Sequence, residues 1–398
     1  MHYKKIHTDK MKKNLLLIFA ICSLNIANAQ WVHQISGTSN WLKDVHFADV
    51  NNGCAVGQVG TIVTTSNGGS EWTVQSSGTP WGLNSVFLTN ANTGYAVGDY
   101  GTIIKTVDGG FNWASQVSGT TESLLSVCFP NANIGYAVGA TGTILKTTNG
   151  GVTWTSKNSG SSEWFLSVTF PDINTGYVAG QDIYKTGDGG TTWTNMTSGS
   201  IGSIGSLCFT DVNTGYALGT NISKTTDGGL TWVNQGPGGG FMTIHFPDAS
   251  TGYAVGMMGS MLKTTNGGAN WIGQDAGTVG WLSSVHFVNS NLGYAVGSIG
   301  EIIKTTNGGT NGLPDLEDDL LISVYPNPAT DRITIEDKSK KAGETIVKIF
   351  NSIGGMVMSG TFNYQTLIEM DVSMLKNGIY LLKVQTISGI GTSKILIQ

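Results

Sequence analysis

KTTNGGVTW, residues 146–154, is the stretch on which the fold turns. Its pattern, Thr-x-Asn/Asp-Gly-Gly-x-x-Trp, recurs at Thr65–Trp72, Thr106–Trp113, Thr186–Trp193, Thr225–Trp232 and Thr264–Trp271. A seventh copy, Thr305–Gly312, has glycine where the others have tryptophan. Counting Trp31 ahead of them, the tryptophans are spaced by 41, 41, 41, 39, 39 and 39 residues. A period of about 40 residues with several strand patterns per unit belongs to a propeller or an array.

One unit shows how the period is filled. From Leu124 the chain reads LLSVCF, a turn at PNANIG, YAVG, a turn at ATG, TILKTT, the turn NGG, and then VTWTSKNSG. These are four short strands, A to D, rich in β-branched and aromatic residues and bounded by Gly, Asn or Pro. The quoted phrase is the turn from C to D. The Asx residue accepts backbone N–H groups a residue or two on, glycine supplies positive φ, and the tryptophan folds back over the turn. The seven Asx positions are Asn67, Asp108, Asn149, Asp188, Asp227, Asn266 and Asn307. They form a structural clasp with no nucleophile or base. A calcium loop needs several converging oxygens, whereas each turn has one Asx, neutral in four of the seven.

These residues resemble the Asp-box, or BNR, repeat. Together with Gly-Tyr-Ala-Val-Gly and Gly-Thr-Ile-x-Lys-Thr-Thr, the longer pattern resembles the photosystem II stability and assembly factor family of propellers over residues 31–312. The resemblance implies an all-β, seven-bladed propeller. It implies protein binding during complex assembly, but the photosystem role is not carried across. Asp-box propellers also occur in sialidases, sortilin-type receptors and some endoglucanases, so the fold leaves the activity open.

Strand A occurs seven times, as LKDVHF, LNSVFL, LLSVCF, FLSVTF, IGSLCF, FMTIHF and LSSVHF. Strand D also occurs seven times, but its first copy, WVHQIS from Trp31, precedes every A strand. The last Asp-box has no D strand after it. The N-terminal strand is therefore expected to complete the last blade, with Trp31 standing in for Gly312. Closure removes the unpaired edge an open array would leave.

The ends of the chain read differently. Residues 1–29 have the form of a signal peptide, with Met11 as a possible true start. Lys12-Lys13 precede an apolar run from Leu15 to Cys22, and Ala27-Asn28-Ala29 is a small-x-small cleavage site. No run is long enough to span a bilayer. The propeller is assigned to 30–312, followed by an acidic linker at 313–321. Residues 322–398 contain short alternating strands of a small β-sandwich. Tyr325-Pro-Asn-Pro-Ala-Thr-Asp331, Asn351-x-x-Gly354, Leu375-x-x-Gly378-Ile-Tyr380 and Lys394-Ile-Leu-Ile-Gln398 resemble the type A sorting domain of the type IX secretion system of Bacteroidota-type bacteria. That resemblance implies type IX machinery as a partner and a product that is secreted or held at the cell surface.

Composition narrows the function classes. The net charge is −5, and Arg332 is the only arginine in the chain. Nucleic-acid binding needs clustered Lys and Arg, so it is not expected. A sialidase needs arginines that grip a carboxylate with two parallel bonds, and the propeller has none. Cys54, Cys128 and Cys208 replace other residue types at repeat positions and read as buried thiols. No Ser-His-Asp spacing, Walker loop or HExxH occurs, and no cofactor is expected.

In a propeller the D-to-A and B-to-C loops share one face. The D-to-A loops place Trp41, Trp81, Trp164, Phe241 and Trp281 at nearly equivalent positions, and Tyr100 lies in a B-to-C loop. Flat aromatics among small polar residues suit sugar rings or an extended peptide. They also suit plugging gaps between blades. The leading expectation is a non-enzymatic binding or scaffold module for an extracellular protein or glycan. The alternative is a glycan-active enzyme or glycan-binding module using carboxylates from Asp99, Glu122, Glu163, Asp182 and Glu301. His46, His245 and His286 hold one strand-A position in consecutive blades, where packed neutral histidines are expected ahead of a metal site.

Overall fold

The structure, a computed structural model, describes residues 31–196, 202–309, 322–337, 344–351, 356–363, 367–386 and 389–398. The expected signal peptide, Gly312 and the expected linker at 313–321 lie outside these residues. The chain divides into two compact units, Met1–Asn311 and Gly312–Gln398.

The first unit contains seven antiparallel four-stranded sheets. In the first blade strands A to D are Leu42–Phe47, Gly53–Gly57, Ile62–Thr65 and Thr73–Gln75. Strand B is buried along its whole length, because it lies mid-sheet and is covered on both faces by neighbouring blades. Strand D is exposed in most blades and short, as a safe edge must be. Each A strand packs beside the A strand of the next blade, and the last packs beside the first.

The closing strand pairs as expected. Leu282–Phe287, Gly293–Gly297 and Ile302–Thr305 form the last blade, and Val32–His33 completes it. Val32 lies opposite Lys304 and His33 opposite Ile303. Trp31 is 2% exposed and stands edge-on to Phe287 with ring centroids 5.7 Å apart. Trp72 and Trp154 meet Phe47 and Phe129 in the same way at 5.8 and 6.0 Å. His33 adds a latch. Its Nδ1 lies 2.6 Å from a Glu301 carboxylate oxygen, and its Nε2 lies 3.0 Å from the Gly277 carbonyl. The carbonyl and then the carboxylate raise the His33 pKa against partial burial.

Adjacent blades are joined through the Asp-box turns. Tyr95 Oη and Lys105 Nζ of the second blade both donate to Gly150 O of the third, each at 2.7 Å. Tyr294 and Lys304 of the last blade reach Gly68 O of the first at 2.8 and 2.6 Å. Strand-C lysines are therefore occupied as structural donors. The first blade has Cys54 and Thr64 at these positions, so the Tyr–Lys clamp is missing where it meets the second.

A second set of contacts circles the axis. Ser85, Ser126, Ser167 and Ser206 each accept a backbone N–H from the next blade at 3.0–3.3 Å. In the first blade the equivalent residue is Asp44. Its carboxylate accepts from Ser284 Oγ at 2.7 Å and from Ser85 Oγ, Val86 N and Val45 N at 2.9 Å. Asp44 thus joins the last, first and second blades, including the junction that lacks the clamp.

The Asp-box turn itself differs in one detail from the sequence expectation. Asn149 Oδ1 accepts Thr153 N at 3.0 Å, four residues on rather than one or two. Thr147 Oγ1 donates to Asn149 Oδ1 at 3.0 Å and accepts Gly151 N at 2.9 Å. Gly150 and Gly151 have φ of 63° and 80°, which L side chains adopt at a cost.

The second unit pairs a three-stranded sheet with a four-stranded one. Ile333, Ile335, Val347, Ile349, Leu382 and Val384 fill the space between them. The Pro-Asn-Pro motif holds the terminal strand. Asn327 Nδ2 donates to Lys394 O at 2.7 Å, and Leu396 N donates to Asn327 Oδ1 at 2.9 Å.

Candidate functional site

The D-to-A and B-to-C loops meet on one face. The N–H of Gln58, which opens a B-to-C turn, donates to Trp41 O at 2.9 Å, and Ser298 N does the same to Trp281 O. Each B-to-C turn also abuts the D-to-A loop entering the next blade: a Cβ on Gly60 would lie 2.0 Å from Thr79 O.

The sequence-predicted aromatics separate by position. Trp41 is half-buried, set edge-on to Trp281 at 5.7 Å, with its Nε1 donating to Ser283 Oγ. It fills the junction of the first and last blades. Trp81, Trp164 and Trp281 are 45%, 58% and 39% exposed. Trp81 packs on Tyr100 with centroids 4.2 Å apart. Phe241 does not share their position. It begins an inner strand opposite Gly256, in register with Leu42, and packs half-buried near Trp271. The short GPGGG loop before it shifts the apparent alignment by one residue, so Phe241 is a core side chain.

Sequence reasoning missed one set of residues on this face. Val59, Tyr100, Met258 and Ile299 occupy one B-to-C position and are all left-handed, with φ of 54–58°. Thr141 of the third blade is the fifth of this kind. A β-branched side chain is rarely held there, and the conformation costs about 1–2 kcal/mol per residue. Burial does not offset this cost, because the four side chains are 64–80% exposed. The signal was present as a bulky residue before glycine in QVG, DYG, MMG and SIG, at a place where asparagine or glycine would relieve the strain.

The carboxylates of this face brace loops. Glu163 accepts Gln181 N at 2.6 Å and Asp182 N at 3.0 Å. Glu122 accepts from Thr141 Oγ1 at 2.8 Å, and Asp99 accepts from Asn84 Nδ2 at 2.9 Å. Asp182 accepts from Asn195 Nδ2 at 3.0 Å, and Glu301 holds His33. Glu163 and Trp164 line a surface cleft of about 680 Å³.

The inner strands enclose an axial channel of about 660 Å³. The three histidines gather in its wall, with His46 and His245 at 4.4 and 4.9 Å from His286, centroid to centroid. They are tied to backbone: His245 Nε2 donates to Phe287 O at 3.2 Å, and His46 Nδ1 accepts Leu88 N at 3.3 Å. Burial holds His46 down to about 3, His245 to about 4, and His286 well below its ordinary value. Among the described residues no three His, Cys, Asp or Glu side chains are grouped to hold a metal ion. Burial raises the Cys54, Cys128 and Cys208 thiols, keeping them protonated.

Both units are similar to known families. Residues 24–118 and 115–203 match the family described as photosynthesis system II assembly factor YCF48. Residues 323–398 match the secretion system C-terminal sorting domain.

The first unit is a seven-bladed propeller whose first half is similar to the YCF48 family, and the second is similar to the secretion system sorting domain.

A solved structure of YCF48 bound to a D1 peptide is similar at TM-score 0.60 and 18% identity, covering 70% of this chain and 95% of that one. PorZ, an essential surface component of the type IX system of Porphyromonas gingivalis, is similar at TM-score 0.55 and 12% identity, covering 87% of this chain and 58% of that one. An ancestral GH74 enzyme is similar at TM-score 0.57 and 13% identity, covering 91% and 63%. At these identities the likeness is one of fold. Among curated proteins nothing matches the chain. The sorting domain marks this propeller for export to the cell surface or the extracellular space. Among the described residues no helix is long and apolar enough to cross a membrane.

Proposed function

We propose that this exported propeller is a non-enzymatic binding module that takes a macromolecular ligand on its loop face. The observation carrying the reading is the exposure of Trp81, Tyr100, Trp164 and Trp281 on the face where every D-to-A and B-to-C loop opens. Large rings left in water and gathered on one face point to a partner that covers them; among the described rings of the Asp-box face Phe111 alone is exposed. The carboxylates there serve as loop braces, which favours binding over hydrolysis. The similar YCF48 structure holds a peptide, which supports a protein ligand.

The test uses the exported protein after leader removal, with Trp81→Ala/Trp164→Ala as the variant. It is presented with glycan arrays and with fractionated surface proteins of the producing cell. The reading expects saturable binding that the double variant weakens about tenfold or more, a loss of about 1.4 kcal/mol or above. Binding retained in full by the double variant counts against it. Polysaccharide turnover abolished by Glu163→Gln would replace it with a hydrolase.

A further inference from the structure

We infer that the ligand of this face is a stretch of polypeptide with apolar side chains next to basic ones. The inference rests on the loop-face reading above and names the partner's chemistry. Met258, Ile299, Val59 and Tyr100 belong to the sixth, seventh, first and second blades, which are consecutive around the closed ring. All four are exposed, as are Trp281 and Trp81 in the loops entering the seventh and second blades, and Trp81 packs on Tyr100; together they make an apolar arc along this side of the ring. Three of the four are aliphatic. An aliphatic side chain offers little to the hydroxylated face of a sugar but packs well on Leu, Ile or Phe.

Beyond the second blade the character of the face reverses. The fourth and fifth blades have shorter B-to-C loops, through Gln181 and Thr220, with no left-handed side chain. Glu122 at the third blade and Glu163 and Asp182 at the fourth have neutral hydrogen-bond donors only. Among the described residues no cation lies within 4.0 Å of them. No lysine or arginine occurs in any D-to-A or B-to-C loop; Lys43, from the first inner strand, reaches the face near Asp99 and Gly82, where its Nζ donates to Asn84 Oδ1, outside this acidic sector. The cleft beside Glu163 is walled by the exposed ring of Trp164. A carboxylate next to an open indole face is a seat for a lysine or arginine side chain. The same charge opposes an anionic membrane, which attracts basic surfaces, so the arc is a protein-binding surface and not a lipid anchor.

The backbone adds a separate reason. Glycine at Val59, Met258 or Ile299 would relieve the left-handed strain. Retaining bulky apolar residues there makes sense if a partner uses them.

The experiment measures fluorescence anisotropy with the full exported chain and labelled peptides of about ten residues, reaching roughly 35 Å when extended. One peptide carries Leu, Ile and Phe followed by Lys and Arg. The second keeps the apolar half with Asp and Glu, and the third keeps the basic half with Ser and Gln. A β-linked glucose oligosaccharide and vesicles with an anionic headgroup complete the set. The inference expects the apolar–basic peptide to bind at least about tenfold more tightly than either control. Met258→Gly/Ile299→Gly should weaken it about tenfold while raising the melting temperature. Glu122→Gln/Glu163→Gln should weaken it several-fold and flatten its salt dependence. Equal binding of all three peptides, or full affinity in the glycine variant, overturns the inference. Binding of the oligosaccharide or vesicles alone, sensitive to Trp81→Ala, overturns the peptide ligand but leaves the loop-face reading intact. Surface-protein binding insensitive to every one of these substitutions overturns both.

Discussion

Asp44 shows how a single residue holds the ring. Other blades place a serine or threonine at its position, and a hydroxyl is enough to accept one N–H from the next blade. A carboxylate accepts four donors and so reaches both neighbours. Burial raises its pKa against the pull of those hydrogen bonds. Asp44→Ala leaves the buried Val86 N–H and two serine hydroxyls without their acceptor, so it is expected to cost about 2–4 kcal/mol in urea unfolding. Asp44→Ser restores only the one acceptor that a hydroxyl supplies elsewhere in the ring and is expected to recover a minor part of that loss. Full recovery by serine would remove the bridging role.

The histidines beside the channel give a pH dependence whose sign follows from their burial. Their folded pKa values lie below the unfolded value, His46 at about 3 and His245 at about 4. Stability is therefore fully present above about pH 6.5 and is lost as pH falls toward 4, because the unfolded chain takes up protons that the folded ring refuses. The loss should reach on the order of 3 kcal/mol by pH 4 for each of His46 and His245. His286→Cys installs the residue that the third and fifth blades carry there. Melting temperatures at pH 7 and 4.5 should differ less for this variant than for the parent chain, and an unchanged difference would contradict the assignment.

At the scale of the element, the blade is tied to its neighbour at two levels: serine hydroxyls near the axis and the Tyr–Lys clamp farther out. The two levels are distinct, and the first blade keeps only the inner one on the side facing the second. Tyr294→Phe removes one donor from Gly68 O but leaves Lys304 in place, so it should cost about 1 kcal/mol, read from urea melts. Placing phenylalanine at Tyr253 removes the same kind of bond, to Gly308 O at 2.9 Å, and should cost about as much. A much larger loss at Tyr294 alone would mark the seam between last and first blades as the weak junction. The sorting unit has its own tie, Asn327 across the motif to the terminal strand.

For the whole molecule, tryptophan spacing made the ring legible, and the missing tryptophan after Thr305 showed where it closes. Both signals survive translation into structure because each clasp is local: the turn residues and the ring that covers them lie within eight positions. Phe241 was misplaced because a glycine-rich loop hides a shift of one residue. Asp44 and the clamp were not legible, since each depends on contacts between residues about 40 positions or more apart that no local pattern announces. The left-handed arc was visible only as bulky residues before glycine, and φ cannot be read from residue type when the type is the wrong one for the conformation. The loop face, its apolar arc and its acidic sector all exist as one surface only if the N-terminal strand seals the ring. Cysteines at Val32 and Lys304 test this most directly. Directly opposed antiparallel residues have Cα atoms about 4.5–5.5 Å apart, within the range a disulfide spans. Oxidation of Val32→Cys/Lys304→Cys should give a monomer with one internal disulfide and a melting temperature above that of the same variant reduced, the Lys304 bond to Gly68 O being lost in both forms. Disulfide-linked dimers, or two thiols that stay reduced, would contradict the closed ring.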